Sequence, residues 1–345
     1  MRSVIRYSLF VVMLLVSTIA CKRIPLHERS TRVILDISVE MGLDHEIQMS
    51  YPTVMRDEFV EKIDGKMPKY HEVLFYDIET HELVVSHIVG STGGVISVPS
   101  GDYHMVIYSF GTESTQIKSL NYRLETEAYT SDLTKTMASK LKGFSQCNNL
   151  DSKSEFKGYD DDPIITEPDH LYVANMADVT IPAFTGREET VTIHADSKSI
   201  MEVYSLEVMN IKGAENIEKV DAFVTGQVKS NYFGRMERNE NPATLYVTLD
   251  TDVLNNRLYT VFCTFGKLPG EENKIYLDIT VTNSDGGQYR YIYDVTDQFD
   301  DPGNTEHKLI IDGGDIDIPD AESGGSGLKP SVDEWEKEEV DVPLG

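Results

Sequence analysis

Apolar and polar residues alternate along most of this chain, and helical spacing is scarce. Between residues 31 and 39 (TRVILDISV), Val33, Leu35, Ile37 and Val39 share one face, the pattern of a half-buried strand. Residues 70–110 carry four denser runs, HEVLFYDI, ELVVSHIV, GVISV and DYHMVIYSF. The breaks between them, ETH, GSTG and PSG, are short turn-forming clusters of the kind found in hairpins and meanders. A second β-rich set follows: LYVANMADVTIPA, EETVTIHA, MEVYSLEVMNI, ATLYVTL, RLYTVFCTFG, KIYLDITVTN and QYRYIYDVT, with NSDGG as a hairpin turn between the last two. The best helical pattern is SDLTKTMASKLKGF, where Ser131 caps, Leu133, Met137 and Leu141 recur every fourth residue, and Gly143 stops the run. Strands with turns about every ten residues predict an all-β protein of sandwiches rather than βαβ units.

A length of 345 residues favours two domains over one. Residues 144–168 (FSQCNNLDSKSEFKGYDDDPIITEP) are polar, acidic and proline-bearing, so they are expected to link an N-terminal domain, 31–143, to a C-terminal one, 169–312. Residues 313–345 then turn into a flexible Gly, Ser and acid tail. At its end Val340, Val342 and Leu344 alternate with Asp341 and Pro343, behind Trp335, the only tryptophan. These three apolar residues are the strand-addition candidates: a short strand in search of a sheet edge.

The start of the chain has a different pattern. Arg2 and Arg6 precede the apolar stretch Leu9–Val16, which falls short of the roughly twenty apolar residues needed to span a bilayer. Ala20 and Cys21 close it. This arrangement resembles the lipobox of a bacterial lipoprotein. The resemblance implies a signal peptide over 1–20, cleavage before Cys21, a diacylglycerol on the Cys21 sulfur, an acyl chain such as palmitate on its amine, and a leader over 21–30. More than one acyl chain meets the requirement for stable anchoring, so the membrane is an expected partner through Cys21.

Charge and chemistry narrow the function. With 58 acidic residues against 31 basic ones and a formal charge of −27, the chain does not suit nucleic acid, which needs clustered Lys and Arg. Cys147 and Cys263 read as a loop thiol and a buried thiol rather than a bridge. No nucleophile elbow, phosphate loop, H-E-x-x-H or C-x-x-C occurs, so neither an enzyme nor a cofactor is expected. His81 and His87 are six apart on one hairpin and read as surface residues rather than a metal pair. The acidic clusters Asp160–Asp162 and Asp312, Asp315, Asp317 read as solvated charge rather than calcium ligands. Tyr289, Tyr291 and Tyr293 alternate onto one strand face, either as core packing or as an aromatic platform for a glycan.

One stretch carries a family pattern. Phe75, Tyr76 and Asp77 end a strand; Gly93, Gly94, Ile96, Val98, Pro99, Gly101 and Tyr103 form a following turn and strand; Thr112 and Glu113 come after. This order resembles the fimbrillin-like lipoproteins of Bacteroidetes. Glu167–Pro182, the TFG and YRYIYDVTDQF runs, and the acidic tail are similar to one uncharacterised branch of them. The resemblance implies two tandem transthyretin-like β-sandwich domains and an outer-membrane, cell-surface lipoprotein in or beside a fimbria. Its expected partners are fimbrial subunits of the same family, reached by β-strand addition. A surface glycan-binding lipoprotein is the alternative. In polymerising subunits a protease cuts after an arginine to release the first strand. Arg29 and Arg32 stand at the head of TRVILDISV, and an uncut chain would keep that strand and act as an anchor or accessory subunit. The tail strand either inserts into a neighbour or closes its own domain, and its long flexible linker favours the second.

Overall fold

The computed structural model describes residues 31–39, 57–133, 162–183, 190–270 and 272–320, and these are nearly all β. In chain order the strands are β1 (Thr31–Val39), β2 (Tyr70–Asp77), β3 (Leu83–Gly90), β4 (Gly93–Val98), β5 (Gly101–Phe110), β6 (Gln116–Lys118), β7 (Glu127–Tyr129), β8 (Ile164–Ile165), β9 (Tyr172–Ile181) and β10 (Thr190–Ser199). There follow β11 (Glu202–Met209), β12 (Ile217–Val228), β13 (Ser230–Tyr232), β14 (Glu237–Arg238), β15 (Pro242–Asp252), β16 (Arg257–Thr264), β17 (Tyr276–Asn283), β18 (Gln288–Asp294) and β19 (Lys308–Asp312). Two short helices, α1 (Asp57–Asp64) and α2 (Thr296–Asp300), interrupt them.

Seven strands close into a barrel in the order β1-β10-β9-β5-β2-β3-β4. Alternate side chains point inward, and Val33, Leu35, Ile37, Val73, Phe75, Met105, Ile107 and Ile193 fill it. On β2 and β5 the other face is covered as well. Leu74, Tyr76, Val106 and Tyr108 pack outward against Leu171, Val228, Phe233 and Phe265. Strands buried on both faces lose their polar positions. For that reason VLFY and MVIY read as continuous apolar runs.

The larger C-terminal sheet runs β18-β17-β12-β15-β16-β11-β19, with β8 added beside β15. Strand β15 pairs with β12 through Leu249 and with β16 from Asp250, so the sheet curls round a core of Leu206, Val208, Val224, Leu245, Phe262 and Ile279. A small third sheet, β14-β13-β7-β6, joins strands from both halves of the sequence. Glu127 of β7 is buried within it, where it takes hydrogen bonds from Ser230 and from Asn239 (3.3 Å) and pairs with Lys118 at 2.9 Å.

Three expectations are corrected. Strands β9 and β10, which the sequence pattern groups with the C-terminal set, belong to the barrel. Strand β1 needs a neighbour on each edge, and β10 supplies the second in parallel, with Arg32 opposite Thr190 through Val39 opposite Ser197. A parallel pair requires a long crossover, and the intervening chain provides it. The expected linker contains β8, whose Ile164 and Ile165 lie beside Thr244 and Leu245. Ser131, expected to cap a helix, instead runs extended with Leu133. Thr166 N–H donates to Ser131 O at 3.3 Å and Leu133 N–H to Ile164 O at 2.8 Å. The remainder of that predicted helix lies outside the described residues.

Candidate strand-docking site

Cys21 and the tail residues Val340, Val342 and Leu344 lie outside the described residues, as do Arg29 and Cys147. What the structure places is the strand that follows the proposed lipid site. Strand β1 lies between β10, parallel to it, and β4, antiparallel to it, with Thr31 opposite Val98 and Asp36 opposite Gly93. Its inward side chains are almost wholly covered: Val33 is 0%, Leu35 2% and Ile37 3% exposed. Burying three such aliphatic side chains contributes about 5–9 kcal/mol at roughly 1.5–3 kcal/mol each. The outward residues Arg32, Ile34, Asp36 and Ser38 are exposed. On that side Asp36 meets His194 at 3.0 Å, and surface pairs of this kind are worth little.

The glycine pair of the STGG turn has a defined role here. Gly93 holds φ +96°, and a Cβ on it would stand 2.1 Å from Leu35 O. Only glycine lets β4 approach β1 so closely. Other motif residues build turns. Asp77 Oδ1 accepts from Glu79 N–H (3.0 Å) and Thr80 N–H (2.8 Å), which closes the β2–β3 turn. Those bonds, with the Thr80 hydroxyl, hold its carboxyl below the usual range. Tyr103 O–H donates to Pro99 O at 3.1 Å across the β4–β5 turn. Tyr76 O–H donates to Leu120 O at 3.0 Å, and burial pushes its pKa up to about 12.

Helix α1 fastens the barrel to the larger sheet. Phe59 and Ile63 pack on Val203, Val261 and Cys263. Lys62 Nζ pairs with Glu167 at 2.9 Å and donates to Val261 O at 3.0 Å, while Glu167 also accepts from Cys263 N–H at 2.8 Å. His170 Nε2–H donates to Lys62 O and its Nδ1 accepts from the Ser199 hydroxyl, both at 2.7 Å. Burial pushes the His170 pKa down, so the ring is held neutral. Cys263 is a buried thiol, pushed up by the same desolvation.

The other chemical candidates are structural. Tyr289, Tyr291 and Tyr293 are half-buried against the C-terminal core, and Tyr293 O–H donates to Asp315 at 2.7 Å. The stripe packs against that core, as cross-strand neighbours do. His87 Nε2 reaches Ser97 O at 3.0 Å, and His81 meets Tyr122 edge-on at 6.2 Å. Among the described residues no three His, Cys, Asp or Glu side chains gather into a metal site.

A closed barrel with an N-terminal strand seated in it, fastened to a curled sheet, has a solved counterpart. The fold is that of a provisionally assigned adhesin from Bacteroides ovatus, which aligns at TM-score 0.58 and 19% identity over 88% of this chain and 99% of that one. The chain belongs to the family described as a domain of unknown function, DUF5119, whose model matches residues 60–248. It is also similar, at 22% identity over 82% of its own length and 87% of the relative's, to a Bacteroides ovatus protein provisionally named fimbrium anchoring subunit Fim4B. A weaker likeness, TM-score 0.45 at 12% identity, is to the fimbrial anchor protein Mfa2 from Porphyromonas gingivalis, over 81% of this chain and 90% of that one.

Proposed function

We propose that this protein is an anchor or accessory subunit of a fimbria-like surface assembly, held in the outer membrane by lipid on Cys21 and joined to subunits of related fold by β-strand addition. The name of the relative Fim4B supports this reading. The observation that carries it is β1: an N-terminal strand, a short leader away from Cys21, locked into the barrel by Val33, Leu35 and Ile37. A chain that retains this strand presents a completed barrel at the membrane. In finer terms the barrel and the curled sheet are the two transthyretin-like units, and the division between them falls between β10 and β11.

The experiment uses the full chain in a Bacteroides host that builds fimbriae. Cys21→Ser should abolish incorporation of labelled palmitate and move the protein from the membrane fraction to the medium. Fimbriae should then be shed along with it. A Cys21→Ser protein that stays in the membrane fraction and leaves fimbrial attachment unchanged would refute the proposal.

A further inference from the structure

A sheet edge displays unpaired N–H and C=O groups and invites another strand. In the larger sheet most edges are closed, and three are closed by different means. At β19, Ser205 N–H donates to His307 O (3.0 Å) and Gly313 N–H to Met209 O (2.7 Å), so odd positions bond to β11 and even ones face outward. Gln298 answers Ile310: its Oε1 accepts from Ile310 N–H at 2.7 Å and its Nε2 donates to Ile310 O at 3.0 Å. Asn304 does the same for Lys308, at 2.9 and 3.1 Å. Each carboxamide stands in for one residue of an absent strand. At β16 the paired side chains Lys62 and Glu167 take Val261 O and Cys263 N–H. At β8 the extended residues 131–133 close the edge.

Strand β18 is different. Asn283 N–H donates to Gly287 O and Val295 N–H to Ile275 O, both at 2.9 Å, so odd positions bond to β17 and even positions turn outward. Gln288 and Ile292 are two of these, and among the described residues no main-chain partner meets them. The described chain also ends beside this edge. Tyr293 binds Asp315 at 2.7 Å, and Asn216 Nδ2 donates to Asp320 at 3.0 Å. Asn216 O in turn accepts from Ser284 N–H, in the β17–β18 turn, at 3.0 Å. The tail therefore departs near the β17–β18 turn, through Asn216. The nineteen residues 321–339, Gly/Ser-rich over 321–327 and acidic after that, reach about 24 Å on average as a coil, enough to bring Val340 back to the start of β18.

We propose that Val340–Leu344 adds to β18 as a parallel strand and closes this edge within the same molecule. Pro343 has no N–H, so its main chain must face away from the sheet. Val340, Val342 and Leu344 then bond toward β18. In a parallel pair a residue that bonds toward its neighbour stands opposite one that bonds away, as Leu309 stands opposite Leu206. The three apolar side chains thereby fall opposite Tyr289, Tyr291 and Tyr293, on the core side. Antiparallel addition would place them on the face of the Arg290–Asp278 ion pair. The assignment is independent of the lipid and of the fimbrial role.

Hydrogen exchange of Gln288 and Ile292 amides tests it in three proteins: the full chain, a chain ending at Pro330, and the full chain with Val342→Asp. Exchange should be at least about tenfold faster in the two altered proteins, with β11 amides unchanged as a check on folding. A peptide of residues 331–345 should restore protection to the shortened chain. In a Cys21→Ser, Cys147→Ser background, Val342→Cys should resist a thiol reagent that labels Asp341→Cys. Equal exchange in the full and shortened chains, equal labelling of the two cysteines, or protection that rises with protein concentration as a second copy would require, each overturns the proposal.

Discussion

Arg257 and Glu207 form an ion pair inside the curled sheet, with Nη1 3.0 Å from the carboxylate and side chains 5% and 2% exposed. Asp252 holds the same guanidinium through Nε at 3.0 Å, and Lys308 reaches Glu207 from β19, also at 3.0 Å. Two buried carboxylates thus depend on one arginine. Burial alone would raise Asp252, but its bonds to Asn255 and Arg257 outweigh that and hold its pKa below the usual range. Arg257→Met takes the guanidinium from Asp252 and leaves Glu207 with Lys308 alone, and should cost about 3–5 kcal/mol in urea unfolding. Adding Glu207→Gln to that variant should recover part of the loss. Full additivity of the two changes would show that the pair is not coupled.

Gly93→Ala is a test of how β1 is seated. The new methyl group collides with Leu35 O in a backbone conformation that alanine resists, and the strain should cost at least about 2 kcal/mol. Limited proteolysis should show the loss first at residues 31–39. Gly286, also at positive φ but with nothing near its Cβ, serves as the control, and Gly286→Ala should cost only about 1 kcal/mol.

Acid should loosen the clasp between α1 and the end of β10. His170 has its pKa depressed from the ordinary 6.5 by burial, so the unfolded chain takes up the proton first as pH falls. Its contribution is fully present above pH 6.5 and is lost as pH drops through that value toward the folded pKa. His71 and His104 are depressed too, again chiefly by burial, and add to the same slope. His170→Gln should flatten the fall in thermal midpoint between pH 7 and 5. An unchanged slope would remove His170 from the account.

The carboxamide lock on β19 makes a prediction about solution behaviour. Gln298→Leu strips Ile310 of both edge partners and leaves an exposed apolar residue beside them. Size-exclusion chromatography of this variant should show concentration-dependent association at concentrations where the parent chain runs as a single species. Monomeric behaviour of the variant throughout would mean that the edge is closed by something other than Gln298.

Much of this was legible in the alternation of side chains. Val33, Leu35 and Ile37 marked β1 and its inward face, and Tyr289, Tyr291 and Tyr293 marked one strand face without telling packing from an open platform. The GG turn stood out as well, although its reason, the carbonyl of Leu35, is visible only in three dimensions. Which barrel strand β9 and β10 would join was not legible, because pairing between distant segments leaves no local trace. Gln298 and Asn304 looked like ordinary surface amides, since their role depends on the register of β19. Helix α1 carries Phe59, Val60 and Ile63 within eight residues, too short a signal to stand out among strands.

The pairing of β1 with β10 sets the order in which this molecule can mature. Asp36 and His194 are 158 positions apart, and the ladder on which they meet is parallel. As the chain is made from its amino end, the first strand has one of its two neighbours only after most of the polypeptide has followed. Contacts of such wide separation slow folding. Until then the apolar side of that ribbon lacks part of its cover, and unfinished chains are prone to associate through it.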